Sequence, residues 1–198
     1  MITGVALVCV ALGLLLYNRV EAKRAEQKAA DVMTEIVSHI DHKTEESADF
    51  NPKQTNAQTP ISVPLDVTMT EVMINGYSYI GYLAIPCLEL ELPIMADWDY
   101  DRLQIAPCRY GGTVNGEDLV VMAHNYPKHF GQISDLSIGD SVVFTDMDGN
   151  VSNYSVVAKD VLSPTAVKEM TSGDFDLTLF TCTYGGKSRI TVYCDRDN

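Results

Sequence analysis

The sequence predicts a β-rich domain, a barrel or a sandwich with short helices, behind a helical N-terminal segment. Three observations carry this expectation. From Tyr77 onward, short apolar stretches recur at regular intervals between turn residues. Several of them alternate apolar and polar side chains with a period of two. Residues 20–40 instead carry alanines and apolar side chains at spacings of three and four, the pattern of a helix face. At 198 residues and 46% apolar composition, the chain has room for one core of ordinary size plus appendages.

Taken in order, residues 2–16 form an uncharged apolar run that, with Met1 and Tyr17, approaches the length needed to span a bilayer. It lacks the basic start of a signal peptide, and the charged stretch after it holds no small-x-small cleavage site. An uncleaved transmembrane anchor over 1–17 is therefore expected. Arg19, Lys23 and Arg24 follow the run, and the positive-inside tendency alone would put that side in the cytoplasm.

Residues 20–40 read as a separate juxtamembrane helix, favoured by Ala22, Ala25, Ala29 and Ala30 and patterned by Val32, Ile36, Val37 and Ile40. His39 and His42 lie at its end, where a cation suits the helix dipole, and no metal site is expected from them. Residues 43–64 turn polar, with prolines at 52, 60 and 64, and read as a linker that closes an appendage over 18–64. Nothing before residue 60 carries chemistry, so its removal is expected to leave activity unchanged.

The folded domain is placed at 65–198. Residues 79–85 are a strand candidate, and Leu88, Leu90, Leu92 and Ile94 alternate with Glu89 and Glu91 as in a half-buried strand. Pro93 puts that strand near an edge or a bend. Further strands are expected at 118–123, 141–145, 151–158, 177–182 and 190–194, with a hairpin turn at Met147-Asp148-Gly149-Asn150.

Charge excludes some functions. The 14 basic and 27 acidic residues give a formal −13, which argues against nucleic acid or an anionic membrane surface as a ligand. Of five cysteines, Cys9 lies in the apolar run. Cys87, Cys108 and Cys194 are expected as buried free thiols, a single bridge among them staying open to the sequence.

Cys182 stands out, because an apolar strand ends on it, passes through Gly185-Gly186, and gives way to a strand that opens on Arg189. A cysteine attacks as the thiolate, a form favoured by a nearby imidazolium or guanidinium. His124, at the end of the 118–123 strand, is the natural proton carrier. Arg189 stays protonated and suits a developing oxyanion. Strand alternation puts Arg189, Thr191 and Tyr193 on one face, whereas Arg196, among Asp195, Asp197 and the terminus, is expected in a solvated ion pair. His129 is expected to be a bystander.

Together these segments resemble the sortase family. Thr178-Leu179-Phe180-Thr181-Cys182 matches its T-L-x-T-C strand end, and Ala123-His124-Asn125 is similar to its histidine segment. Phe130-Gly131-Gln132-Ile133 through Leu136-Ser137-Ile138-Gly139-Asp140 is similar to the helix and strand entry that follow the histidine. The resemblance covers about residues 77–196. It implies an eight-stranded β-barrel on the outer face of a Gram-positive cell membrane, with His124, Cys182 and Arg189 catalytic and Asn125, Thr181, Thr183 and Tyr184 lining the substrate groove.

It also implies cysteine transpeptidation. The substrates would be secreted proteins bearing an LPXTG-like or NPXTN-like sorting signal, the acceptor a peptidoglycan or pilin amine, and no metal or organic cofactor would be required. A pilin-polymerising sortase, an L,D-transpeptidase-like cell-wall enzyme and a non-enzymatic anchored binding domain are the alternatives. The second would carry its arginine two positions after the cysteine in S-x-G-C-x-R, which Thr181-Cys182-Thr183-Tyr184 does not match.

Overall fold

The computed structural model describes residues 2–48, 68–172 and 174–197. Most of the expected linker lies outside them. Where two helices were expected there is one, α1 (Ile2–Ala48). The reason is that no glycine or proline interrupts the chain between Gly13 and Pro52.

The expected transmembrane anchor is not supported. Among the described residues no helix is long and apolar enough to cross a membrane. The uncharged run at residues 2–17 amounts to about 24 Å of helix, short of a hydrocarbon core of about 30 Å. Leu7, Leu12, Leu14, Leu15 and Leu16 are all exposed.

Farther along, α1 buries Ala25, Ala29, Val32 and Ile36. Their 4-3-4 spacing puts them in one stripe, which lies along β2 and β3 below. The helix end is tied down as well: Lys43 pairs with Asp148, whose other oxygen accepts from the Thr70 hydroxyl at 2.6 Å. These bonds hold the Asp148 carboxyl below its ordinary pKa, the Lys43 bond most of all. The helix is thus part of the folded body, and removing residues 1–60 would uncover Tyr79, Met95 and Met147 in the cluster it seals.

Among the described residues nine strands form a single sheet: β1 (Val72–Ile74), β2 (Tyr77–Ile85), β3 (Leu90–Met95), β4 (Cys108–Gly111), β5 (Leu119–Ala123), β6 (Ser141–Asp146), β7 (Val151–Leu162), β8 (Leu177–Cys182) and β9 (Arg189–Arg196). Their order is β1-β2-β3-β4-β5-β8-β9-β7-β6, and β6 pairs back onto β2. The eight strands β2–β9 therefore close as a barrel, with β1 a short hairpin arm outside the ring. Short helices α2 (Tyr100–Leu103) and α3 (Val167–Met170) sit in connections. β4 was not expected from the sequence, and β7 runs four residues beyond its expected end.

The closing seam depends on Gly81, whose φ is +143°. A Cβ there would lie 2.1 Å from the Thr145 carbonyl oxygen of β6, so only glycine lets β2 meet β6 at this point. Inside, inward residues of alternate register, among them Ile80, Leu83, Leu119, Val121, Leu179 and Val192, make the main core. Pro93 does sit beside a weakly paired flank, because β3 meets β4 at Met95 and Cys108 alone.

Gly81→Ala should destabilise the barrel by about 3 kcal/mol or more, since both the backbone angle and the opposing carbonyl reject a methyl group. Gly111→Ala, with open space at the same atom, is the control. Thermal unfolding of the two variants checks this, and equal melting temperatures would show that the seam relaxes.

Candidate active site at the ends of three strands

β5 and β8 run parallel, so both end at the same rim of the barrel, and β9 starts there. Ala123 pairs with Thr181 and Cys182 pairs with Arg189. Because side chains alternate, the outer face carries His124, Cys182 and Arg189 as its first row across the three strands. Met122, Phe180 and Thr191 form the second row, and Val120, Thr178 and Tyr193 the third.

The inward positions hold this lattice in register. Thr181 is buried, and its hydroxyl donates to the Ala123 carbonyl at 2.8 Å. Expected as a groove residue, it is instead a tie between β8 and β5. Thr183 serves the turn after the cysteine, accepting from Ser188 N at 3.0 Å, while Gly185 and Gly186 take φ of 78° and 70° that a larger residue resists. Tyr184 stands 90% exposed, and Asn125 is half-buried.

Arg189 donates to the carbonyls of Gly186 and Ser188, both at 3.2 Å, which folds its guanidinium back onto the turn that carries the cysteine. Arg196 lies at the opposite end of β9, about 23 Å away at strand rise. The expected ion pair is present, with Glu117 at 3.9 Å, but the side chain is only part-exposed and has further partners. It donates to Val114 O at 2.8 Å and to the Tyr154 hydroxyl at 3.4 Å, and its guanidinium sits 5.7 Å over that ring.

Burial separates the cysteines. Cys108 and Cys194 are buried, and desolvation pushes both thiols up to about 12, where they are inert at neutral pH. Cys182 is half-buried at a strand end, while Cys87, contrary to expectation, is exposed, its thiol 3.5 Å from the Asp140 carboxylate. All five are free.

His124 is half-buried, and burial lowers its pKa below the ordinary imidazole value. His129, expected as a bystander, is fully buried, and neither ring nitrogen has a partner. Burial first, and the charge of His124 second, push it down to about 4. Tyr126 lies between the two histidines, its ring centroid 4.9 Å from that of His124 and 5.4 Å from that of His129. The sequence offered no signal for either residue beyond their place in the same loop.

Beside the first row is an apolar patch. Val120, Met170 and Phe180 are buried together, with Tyr110 and Met122 packed against them. Tyr110 meets Phe180 edge-on at 5.3 Å and stacks on Trp98 at 5.4 Å. Strand alternation could have picked out Met122 and Phe180, being two residues before His124 and Cys182. Among the described residues, no group of three or more His, Cys, Asp or Glu is placed to hold a metal ion.

Comparison with known proteins bears on the family and the fold. A family model described as the sortase domain matches residues 83–197. Among solved structures, sortase A from Corynebacterium diphtheriae is 25% identical with a TM-score of 0.56, the match covering 62% of each chain. Sortase C1 from Streptococcus suis is 27% identical with a TM-score of 0.52, over 61% of this chain and 73% of that one. A Streptococcus pneumoniae sortase C, at 21% identity and a TM-score of 0.55 over 85% of this chain and 97% of that one, shares the fold. The chain thus spans less than two thirds of the corynebacterial protein's length. No curated protein sequence matches it.

His129 gives the fold a pH dependence of definite sign. Above the ordinary value of 6.5 it is neutral whether folded or unfolded, and stability is undiminished. As pH falls from 6.5 towards about 4, the unfolded chain takes up a proton that the folded chain refuses, so stability declines by about 3 kcal/mol in all. Urea unfolding at pH 7.5, 5.5 and 4.5 should show His129→Leu losing that much less than the wild type across the window. Parallel losses in the two proteins would remove His129 from the account.

Proposed function

The chain belongs to the sortase family, and from that premise we propose that it is a cysteine transpeptidase acting on secreted proteins that carry an LPXTG-like or NPXTN-like sorting signal. The observation that supports this is the first row itself: His124, Cys182 and Arg189 side by side at the rim, on the outer face, next to an apolar floor.

In this reading the Cys182 thiolate attacks the carbonyl carbon after the signal's threonine, and the carbonyl oxygen takes the negative charge. The Arg189 guanidinium and backbone amides near Cys182 stabilise that oxyanion. As the tetrahedral species collapses, the C–N bond breaks, His124 gives its proton to the departing amine, and a thioester on Cys182 is left. A second amine attacks the thioester, gives a proton to His124, and releases the thiolate. The extended signal lies over the patch that buried Val120 and Phe180 underlie, its apolar side chains meeting the part-exposed Met122 and Tyr110. Asn125 and Tyr184 flank the scissile bond.

The acceptor is proposed to be a cell-wall peptidoglycan amine. A pilin lysine is the second reading, favoured by the 27% identity to the streptococcal sortase C1. The enzyme would work at the outer cell surface, with the exposed apolar start of α1 sunk into the membrane.

Incubating the full chain with sorting-signal peptides and detecting the acyl-enzyme by mass spectrometry tests the proposal, and supplying diaminopimelate-type or pilin-lysine amines separates the two acceptors. Cys182→Ala should form no thioester, and Cys87→Ala should keep most activity. Arg189→Lys should lose about 10²–10³ in rate, because an ammonium cannot replace a planar fork that also grips two carbonyls. Thioester formation by the Cys182→Ala protein would end the reading.

A further inference from the structure

The proposed chemistry leaves Tyr126 without a part, yet the structure holds it firmly. His129 N donates to Tyr126 O at 2.9 Å, Gly131 N donates to the same oxygen at 3.0 Å, and Phe130 N donates to His124 O at 3.1 Å. A Cβ on Gly131 would lie 2.7 Å from the carbonyl oxygens of both Asn125 and Tyr126, so the loop closes against its own glycine. The backbone on each side of Tyr126 is thereby fixed.

Its ring is fixed from behind as well. His129 and Phe130 are fully buried and form a wall on the core side. Against that wall the tyrosine ring meets His129 at 5.4 Å and 53°, and its outer side meets the His124 ring at 4.9 Å and 34°. Tyr126 itself is half-buried, so it is more than core filling. Lys128 and His129 belong to the same loop, Cys182 and Arg189 lie at the neighbouring strand ends, and Glu21 and Tyr17 approach from α1. Burial first, then Glu21 and Tyr17, push the Tyr126 hydroxyl upward, so it stays neutral.

We propose that Tyr126 is a positioning residue for His124, its ring providing the face on which the imidazole is seated and which favours the imidazolium that must protonate the leaving amine. The inference rests on the transpeptidase reading for its use, though not for its first test. An aromatic face within about 6 Å attracts a cation through the ring quadrupole. Burial works the other way on His124, withdrawing the proton that it needs. The tyrosine offsets part of that loss without adding a charge of its own.

The test titrates the His124 ring by NMR in the full chain, without substrate, in wild type and in Tyr126→Phe, Tyr126→Leu and Tyr126→Trp. Leucine removes the π face and should lower the His124 pKa by about one unit, phenylalanine should leave it in place, and tryptophan should raise it. With any peptide that forms an acyl-enzyme, the acid limb of the pH profile should move down with the pKa, and the plateau of Tyr126→Leu should drop about tenfold. The phenylalanine and tryptophan variants decide the matter should leucine impair folding. A His124 pKa equal in all four proteins, or a phenylalanine variant as impaired as leucine, overturns the proposal. Because the titration needs no turnover, this failure is distinct from a failure of the transpeptidase reading.

Discussion

The parallel pairing of β5 with β8 is the constraint on which the site depends. Side chains alternate along each strand, so a slip of one residue would turn Cys182 into the core and bring Thr181 out. Two features oppose the slip. The inward set of Leu119, Val121, Leu177 and Leu179 has nowhere else to be buried, and the Thr181 hydroxyl finds its acceptor on Ala123 only in the observed register. β9 then adds by antiparallel pairing, and the tight turn through Gly185 and Gly186 leaves it one choice, Arg189 opposite Cys182. The spatial row is therefore a product of core packing, not of direct bonds among its members.

The same barrel sorts its ionisable groups by depth. Thiols on inward or covered positions, Cys108 and Cys194, are held neutral by desolvation. Those at the rim keep contact with water. His124 and His129, five positions apart, show the gradient most clearly: one half-buried, the other sealed and pushed down to about 4. A sealed neutral imidazole with no hydrogen bond costs stability, and its persistence beside the candidate acid points to a role in the loop's shape.

Much of this was legible in the sequence, for physical reasons. The alternation of Leu90, Leu92 and Ile94 with Glu89 and Glu91 gave the β3 strand, and the Asp148-Gly149 turn gave the β6–β7 hairpin. Cys182, His124 and Arg189 could be picked out because each sits at an abrupt change from apolar strand to loop. β4 escaped notice because Cys108-Arg109-Tyr110-Gly111 is short and has no pattern; it is a strand through its partners, β5 along most of its length and β3 at one residue. The packing of α1 on the barrel escaped for another reason. Ala25 and Ala29 favour any helix, and nothing local says that their small side chains are there to let a sheet approach closely. Arg196 does make an ion pair, but with remote Glu117 and not with its acidic neighbours in sequence, and its other partners, Val114 and Tyr154, are equally remote.

The continuity of α1 has a mechanical meaning. At about 1.5 Å per residue its 47 residues make a rod of about 70 Å, seated on the barrel through Ala25 to Ile36 and pinned again at Lys43. Such a strut transmits orientation as well as distance. Whatever holds its exposed apolar end also sets the azimuth and standoff of the rim that carries Cys182, so the protein approaches its targets like a tool on a rigid handle, with a restricted arc of reach, instead of sampling a sphere at the end of a leash.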